Sequence, residues 1–315
     1  KLMKSKVNLI RIIFIIFFLL ANQSFAKLVN IKYIVEDKVI TNIDIRNEIN
    51  YLLLINKSLS ELSDELLVEY STKSLLKEKI KEVELSRHFI FGQNDSLINQ
   101  QLNKFKINLN IGNDENFDEL LSRVNLNEEF LSKKIEIELL WNKLIYEKFI
   151  NQVNIDENKM KEELSKKIEN SQEEIDEYLI HEILFSADTK DELNLLFSEI
   201  SKSISNIGFD NTANIFSISN TAKFGGKVGW VNETQLSKNI LDKIEGLENF
   251  ETSEPIQTAN GILILMIKDK KKISKKISFE DELQTMLNME AENQLNQFSQ
   301  IFFKKIELNT KIYEK

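Results

Sequence analysis

The scarcity of helix-breaking residues is the feature that most constrains how this chain can fold. Its 315 residues include only one proline, Pro255, and only eight glycines. Proline and glycine interrupt helices most strongly, so long helices are expected where both are missing. Three of the glycines fall close together, at Gly225, Gly226 and Gly229. The sequence therefore predicts a mainly α-helical chain with one smaller region of a different kind.

The first predicted unit covers residues 27–173 and begins with a short hairpin. Residues 31–40 (IKYIVEDKVI) have the composition of two short strands around a turn at Glu36-Asp37. Thr41 follows at the position of a helix N-cap, with an acid in the first helical turn. From there to about residue 165 the pattern is helical.

Within this unit, Gly92 and Gly112 mark breaks between helices. The clearest helix spans residues 127–150, where one face carries Phe130, Ile137, Trp141 and Leu144. Residues 154–173 are mostly charged and lack a strong apolar stripe, so they are interpreted as a linker helix.

The pattern changes over residues 174–270, which are predicted to form an α+β unit. Residues 178–185 (YLIHEILF) have the pattern of a strand, and over 189–204 the apolar residues recur at the spacing of a helix. After the glycine cluster, two further strands, 254–258 and 262–268, flank Asn260-Gly261. This dipeptide is a strong signal for a type I′ hairpin turn.

Residues 271–315 contain a basic linker and then a long amphipathic helix. Over 279–306 the apolar residues recur every three or four positions, at Leu283, Leu287, Ala291, Leu295, Phe298, Phe302 and Ile306. Such a stripe requires a packing partner. Since the α+β unit already has its own elements, the predicted partner is the N-terminal helical unit. Residues 308–313 are predicted to add a closing strand.

The first 26 residues have the pattern of a secretory signal peptide. Lys1, Lys4, Lys6 and Arg11 precede the apolar run 12–21, which ends in a small-x-small motif at Ala26. The alternative is a membrane anchor, but a helix that spans a bilayer needs about 20 apolar residues. We therefore expect cleavage after Ala26, a mature protein in the periplasm, and no stable membrane insertion afterwards.

Composition excludes several classes of function. Loss of the four positive charges of 1–26 changes the formal net charge from −9 to −13, and an acidic chain repels nucleic acid. With no cysteine, the fold has no disulfide framework. Two histidines and no cysteine make a metal site improbable, and no cofactor is predicted. His88 is interpreted as a surface residue and Trp230 as a core residue.

Several motifs in residues 178–268 occur in the order and spacing of one family. They are residues 181–184 (HEIL), 216–217 (FS), 225–230 (GGKVGW), 254–256 (EPI) and 260–264 (NGILI). On these motifs the segment resembles the parvulin (PpiC-like) family of peptidyl-prolyl isomerases, which accelerate rotation about X–Pro bonds.

The flanking segments extend this resemblance to nearly the whole mature chain. Residues 31–46 resemble the opening of SurA-like periplasmic chaperones, and residues 279–313 resemble the helix and strand that end them. The resemblance implies a helical chaperone module built from both chain ends, with one parvulin-like domain as a satellite. It further implies unfolded polypeptides as partners, in particular precursors of outer-membrane β-barrel proteins.

The resemblance assigns six candidate residues. His181 matches the first histidine of the family, and Ser219 lies where the family has cysteine or aspartate. Val228 and Leu236 match apolar walls of the proline pocket, Ile240 replaces an aromatic residue, and Leu263 replaces the second histidine. A His181–Ser219 pair would remain as the catalytic candidates. The alternative for His181 is a histidine held by hydrogen bonds without a catalytic part.

Three functions stay open on the sequence alone. The first is an ATP-independent chaperone with a degenerate parvulin domain of weak or no activity. The second is an active prolyl isomerase with a reduced pocket. The third is a structural protein of the cell envelope, which the resemblance disfavours.

Overall fold

The structure is a computed structural model that describes residues 29–109, 117–170, 174–274 and 278–315. The predicted signal peptide and the predicted break at Gly112 lie outside these residues. The helices are α1 (Asn42–Ile55), α2 (Asp64–Leu85), α3 (Asp95–Asn108), α4 (Phe117–Arg123), α5 (Glu128–Phe149), α6 (Glu157–Asn170), α7 (Lys190–Ile207), α8 (Phe209–Phe216), α9 (Lys238–Ile244) and α10 (Phe279–Asn309). The strands are β1 (Ile31–Val35), β2 (Lys38–Thr41), β3 (Glu174–Phe185), β4 (Lys227–Asn232), β5 (Ile256–Thr258), β6 (Gly261–Ser274) and β7 (Ile312–Glu314).

Both ends of the described chain meet in an antiparallel sheet with the order β2-β1-β7. The hairpin turns at Glu36-Asp37 as predicted, with Glu36 at a φ of 51°. The backbone N–H of Lys311 donates to Oε1 of Glu36 at 2.9 Å, which ties β7 to this turn. The closing strand begins later than the predicted 308–313 because α10 continues to Asn309.

The apolar stripe of α10 packs against α5, as its spacing predicted. Trp141 of α5 is 2 % exposed, and its indole N–H donates to Oγ of Ser299 at 2.9 Å. The Trp141 ring lies 5.8 Å from that of Phe302, and Phe149 stacks on Phe298 with 5.1 Å between ring centroids. A mainly helical unit built from both chain ends is therefore confirmed.

The predicted linker helix is a packed element of the fold. Leu164 of α6 is fully buried and clusters with Leu283 and Met286 of α10. Met160, one turn earlier, packs against the same cluster. The structure corrects the interpretation of 154–173 as a linker helix for this part, because Met160 and Leu164, four positions apart on one face of α6, pack against α10.

The second sheet is antiparallel, with the order β4-β3-β6-β5. Its two faces carry separate apolar clusters. The first face packs against α9 through Tyr178, Ile180, Leu184 and Ile244. The second face packs against α7 and α8 through Ile183, Phe185, Ile200 and Ala213. A small α+β unit beside the helical unit is therefore confirmed.

The hairpin between β5 and β6 differs from its predicted turn type. Thr258 pairs with Gly261, so the central turn residues are Ala259 and Asn260. A type I′ turn needs positive φ at both central residues, and neither has it. Gly261 instead begins β6 at a φ of 132°, where a Cβ atom would lie 2.6 Å from the carbonyl oxygen of Phe185. A glycine is therefore needed at this position because the backbones of β3 and β6 approach too closely for a Cβ atom.

The two units contact each other through apolar and polar residues. Ile207 and Ile215 of the α+β unit pack against a cluster around Leu59, Leu62 and Leu67 of the helical unit. Within the described ranges, side-chain hydrogen bonds also cross the boundary, namely Asn56–Asn214 at 3.3 Å, Asn211–Glu61 at 3.5 Å, Asn220–Asn296 at 3.1 Å and Thr234–Glu282 at 2.6 Å. The boundary thus combines apolar packing with hydrogen bonds between side chains. Among the described residues, no helix is long and apolar enough to cross a membrane.

Candidate functional site

Three of the predicted pocket residues come together on the first face of the second sheet. Leu236, Ile240 and Leu263 belong to one apolar cluster, which also contains Leu184. Leu263 lies directly opposite Leu184 across β3 and β6, and opposite residues on neighbouring strands share a face. We call Leu236, Ile240 and Leu263 the apolar wall.

Val228 stands apart from the apolar wall, contrary to expectation. Its side chain is 45 % exposed. Ile180 pairs with Gly229 and His181 pairs with Lys227, so Val228 is the extra residue of a β-bulge. A bulge interrupts the alternation of side chains along a strand, which is why the sequence pattern misplaced it.

His181 is buried on the second face of the sheet, away from the apolar wall. It lies opposite Met266, which belongs to the cluster of that face. The ring Nδ1 lies 3.0 Å from Oδ1 of Asp210 and 3.2 Å from the carbonyl oxygen of Gly225. Because both partners are acceptors, Nδ1 carries the hydrogen and donates it. The contacts hold the loop at Gly225 and the first turn of α8 against β3.

Asp210 is the centre of a small charged group. Lys268 of β6 places its Nζ atom 3.1 Å from Oδ1 of Asp210, the same oxygen that His181 contacts. Burial alone would raise the pKa of Asp210, but the hydrogen bond and charge of His181 and the charge of Lys268 outweigh burial and lower it. The carboxylate is therefore stabilised as an anion and joins α8 to two strands.

Ser219 has a different partner from the one predicted. Its hydroxyl donates to Oε1 of Glu182 at 2.6 Å, and the hydroxyl of Thr221 donates to the same oxygen at 2.9 Å. No hydrogen bond joins Ser219 to His181 among the described residues. His181 and Glu182 are consecutive in β3, and consecutive strand residues point to opposite faces. The predicted His181–Ser219 pair is therefore not formed in this structure.

Asp210, Glu182 and Thr221 are the site residues that sequence reasoning missed. Glu182 could have been found from the sequence, because side chains alternate between the two faces of a strand. Glu182 follows His181 in β3 and therefore lies on the opposite face, together with Ile180 and Leu184. The contacts of Asp210 and Thr221 depend on loops whose paths the sequence pattern does not specify.

The arrangement limits the chemistry available. Rotation about an X–Pro bond has a high barrier, and a dry pocket complementary to the twisted amide lowers it. Here the apolar wall shares its face of the sheet with Glu182, whose carboxylate accepts from two hydroxyls, while the imidazole of His181 lies on the other face. Within the described ranges, no group of three or more His, Cys, Asp or Glu residues is arranged to hold a metal ion.

Two further residues can now be assigned. The side chain of His88 is 39 % exposed and contacts Glu84, as expected of a surface residue. Trp230 is also 39 % exposed, with Nζ of Lys271 lying 4.0 Å from its ring centroid. The interpretation of Trp230 as a core residue is wrong, because its strand position faces solvent and a lysine covers the ring.

Residues 178–269 match the family model of the PPIC-type PPIASE domain, a rotamase. The chain therefore carries a parvulin-type domain, as the resemblance implied. The comparison with curated proteins found no match.

Several solved structures are similar to this chain. A PpiC-type isomerase domain is 25 % identical over 32 % of this chain and 95 % of its own, with a TM-score of 0.28. PrsA from Bacillus subtilis is 17 % identical over 86 % of this chain and 89 % of its own, with a TM-score of 0.29. A structure from work on PEB4 and Cj1289, two SurA-like chaperones of Campylobacter jejuni, is 16 % identical over 90 % and 98 %, with a TM-score of 0.34. With TM-scores below 0.5 these likenesses carry no argument about function.

Proposed function

We propose that this chain is an ATP-independent chaperone that holds unfolded polypeptides and carries a parvulin-type domain of weak or no isomerase activity. In this proposal residues 174–274 form the parvulin-type domain, because β6 continues in the second sheet to Ser274, past the predicted end at 270. Residues 27–173 and 275–315 form the holding module. The single observation that carries the proposal is an apolar cleft between these two units.

The cleft has a volume of about 350 Å³ and lies between α2 and the pair α7 and α8. Its apolar lining comes from Leu66, Ile207, Ile215 and Phe216. Leu66 is 36 % exposed, so the apolar surface is open to solvent. Pockets of about 300–1,000 Å³ hold small ligands, and this size suits one or two apolar side chains of an extended segment.

We propose precursors of outer-membrane β-barrel proteins as the clients. The resemblance to SurA-like chaperones supports this choice. The strands of such barrels alternate apolar and polar residues, and they aggregate while unfolded. A cleft lined by apolar residues together with the charged Glu199 and Lys202 suits such a pattern. The pattern of residues 1–26 further supports export to the periplasm.

An active prolyl isomerase is the second candidate. The observation that favours it is the apolar wall, where Leu236, Ile240 and Leu263 remain together. Against it, His181 lies on the other face of the sheet and is engaged by Asp210. Proline-limited refolding of a substrate protein separates the two candidates.

Photo-crosslinking tests the cleft as the holding site. A photoreactive residue at Leu66 is expected to crosslink to an unfolded barrel precursor. The matched control is the same residue at Tyr146, which is 54 % exposed but lies outside the cleft. Equal crosslinking at both positions would contradict the assignment.

A further inference from the structure

Glu182 is a charged residue on the same face of the sheet as the apolar wall. It pairs with Leu265 of β6, and both neighbours two positions away in β3, Ile180 and Leu184, belong to the cluster of that wall. Leu263 is two residues from Leu265 on the same face. A diagonal neighbour of this kind lies about 7–8 Å away. A segment seated on the apolar wall would therefore pass next to this carboxylate.

Only one oxygen of Glu182 is used within the described structure. Oε1 accepts the hydroxyl hydrogen of Ser219 at 2.6 Å and that of Thr221 at 2.9 Å. Thr221 is also 3.0 Å from Ser219, so the three side chains form one connected group. Among the described residues, Oε2 has no hydrogen-bond partner and Glu182 has no ion pair. The hydroxyls thus fix the carboxylate while its second oxygen stays available.

The surroundings of this oxygen favour a cation. Glu182 is half-buried, and its strand neighbours on this face are apolar. A carboxylate that is partly removed from water gains from an opposite charge within about 4–6 Å. Its backbone is fixed as well, because the N–H of Glu182 donates to the carbonyl oxygen of Gly226 at 2.7 Å. A fixed carboxylate next to an apolar surface favours bound segments that carry a positive charge over segments that carry a negative charge.

We propose that Glu182, positioned by Ser219 and Thr221, makes the parvulin-type domain select segments with a lysine or arginine next to the proline. The proline ring would contact the apolar wall, and the cationic side chain would pair with Oε2 of Glu182. This inference rests on the proposed function, since it requires that the domain binds extended polypeptide.

Binding of three peptides to the full-length protein tests this selectivity. Fluorescently labelled peptides that differ only in a Lys-Pro, Ala-Pro or Glu-Pro pair are titrated and followed by anisotropy. We expect the Lys-Pro peptide to bind at least about fivefold more tightly than the Glu-Pro peptide, and added salt to reduce this ratio. Equal affinities, or no binding of any peptide, would overturn the proposal.

Variants assign the selectivity to this carboxylate. Glu182→Gln keeps an oxygen for the two hydroxyls but removes the charge, so the ratio is expected to fall to within about twofold. Asp191→Asn removes the same charge from the exposed first turn of α7, which packs on the other face of the sheet and lies outside the cleft lining, and is expected to keep the full ratio. A ratio that survives Glu182→Gln would overturn the proposal.

The proposed chaperone function has its own readout, suppression of client aggregation by the wild-type protein. Aggregation that is suppressed while the three peptides bind equally rejects only the role of Glu182. Aggregation that is not suppressed rejects the chaperone function, whatever the peptides show.

Discussion

The ring Nδ1 of His181 lies 3.0 Å from Oδ1 of Asp210, so the histidine expected to be catalytic is part of a buried structural contact. This contact joins β3 to the start of α8, and Lys268 extends it to β6. The resemblance assigns this histidine to a catalytic position of parvulins, whereas its hydrogen bonds here join elements of the α+β unit.

The contact predicts a pH-dependent stability. The pKa of Asp210 is lowered, although burial opposes this, because His181 and Lys268 favour the anion. Such a group contributes stability above its unfolded pKa of about 3.9, and this contribution is lost as pH falls through the lower folded pKa. We therefore expect Asp210→Asn to destabilise the protein more at about pH 6 than at about pH 3.

Urea unfolding at both pH values measures this difference. Asp242→Asn is the control, because Asp242 is an exposed acid on α9. It is expected to change stability little at either pH. A loss for Asp210→Asn that is the same at both pH values would contradict the assigned role of the carboxylate.

The catalytic prediction concerns isomerase activity. Since no imidazole lies on the face of the apolar wall, the wild-type rate is expected to be at least about tenfold below that of an efficient parvulin. This corresponds to about 1.4 kcal/mol of lost transition-state stabilisation. His181→Ala is expected to lower this rate little and to leave client holding intact. A wild-type rate that matches an efficient parvulin and is abolished by His181→Ala would favour the enzyme.

The packing of α10 on α5 predicts a large effect at Trp141. Trp141→Ala removes a buried ring that contacts Phe302 and Phe303, and we expect a loss of about 3–5 kcal/mol in unfolding free energy. Tyr146→Ala on the same helix is the control, because Tyr146 is 54 % exposed. Equal losses in denaturant unfolding would show that α10 does not complete the core of this unit.

The boundary between the units predicts a local effect at Ile207. Ile207→Ser places a hydroxyl against the cluster of Leu59 and Leu62, so the backbone around these leucines is expected to open more often. Hydrogen exchange at their amides should accelerate. Leu195→Ser on the same helix is the control, since Leu195 is 61 % exposed. Unchanged exchange in Ile207→Ser would contradict the packing between units.

Periodicity predicted the helices because their packing depends on regular spacing. The stripe that includes Leu283, Phe298 and Phe302 required a partner, and α5 and α6 supply it. The glycine cluster and the strand pattern likewise located the α+β unit. These features are repeated along the chain, so small local irregularities do not obscure them.

The site was harder to predict because it depends on single irregular positions. One bulge leaves Val228 outside the apolar wall. His181 and Glu182 are consecutive residues of β3 and therefore lie on opposite faces of the sheet. The family motif identifies His181, but the residue on the face of the apolar wall is Glu182. A motif match identifies the family but does not specify which way a side chain points.

Chaperone activity is measured by light scattering of an unfolded outer-membrane β-barrel protein that is diluted from urea without ATP. An equimolar amount of the wild-type chaperone is expected to suppress the scattering, and the Asp242→Asn variant is expected to suppress it equally. Scattering that is unchanged by the wild-type chaperone at equimolar and at tenfold higher concentration would rule out the holding function.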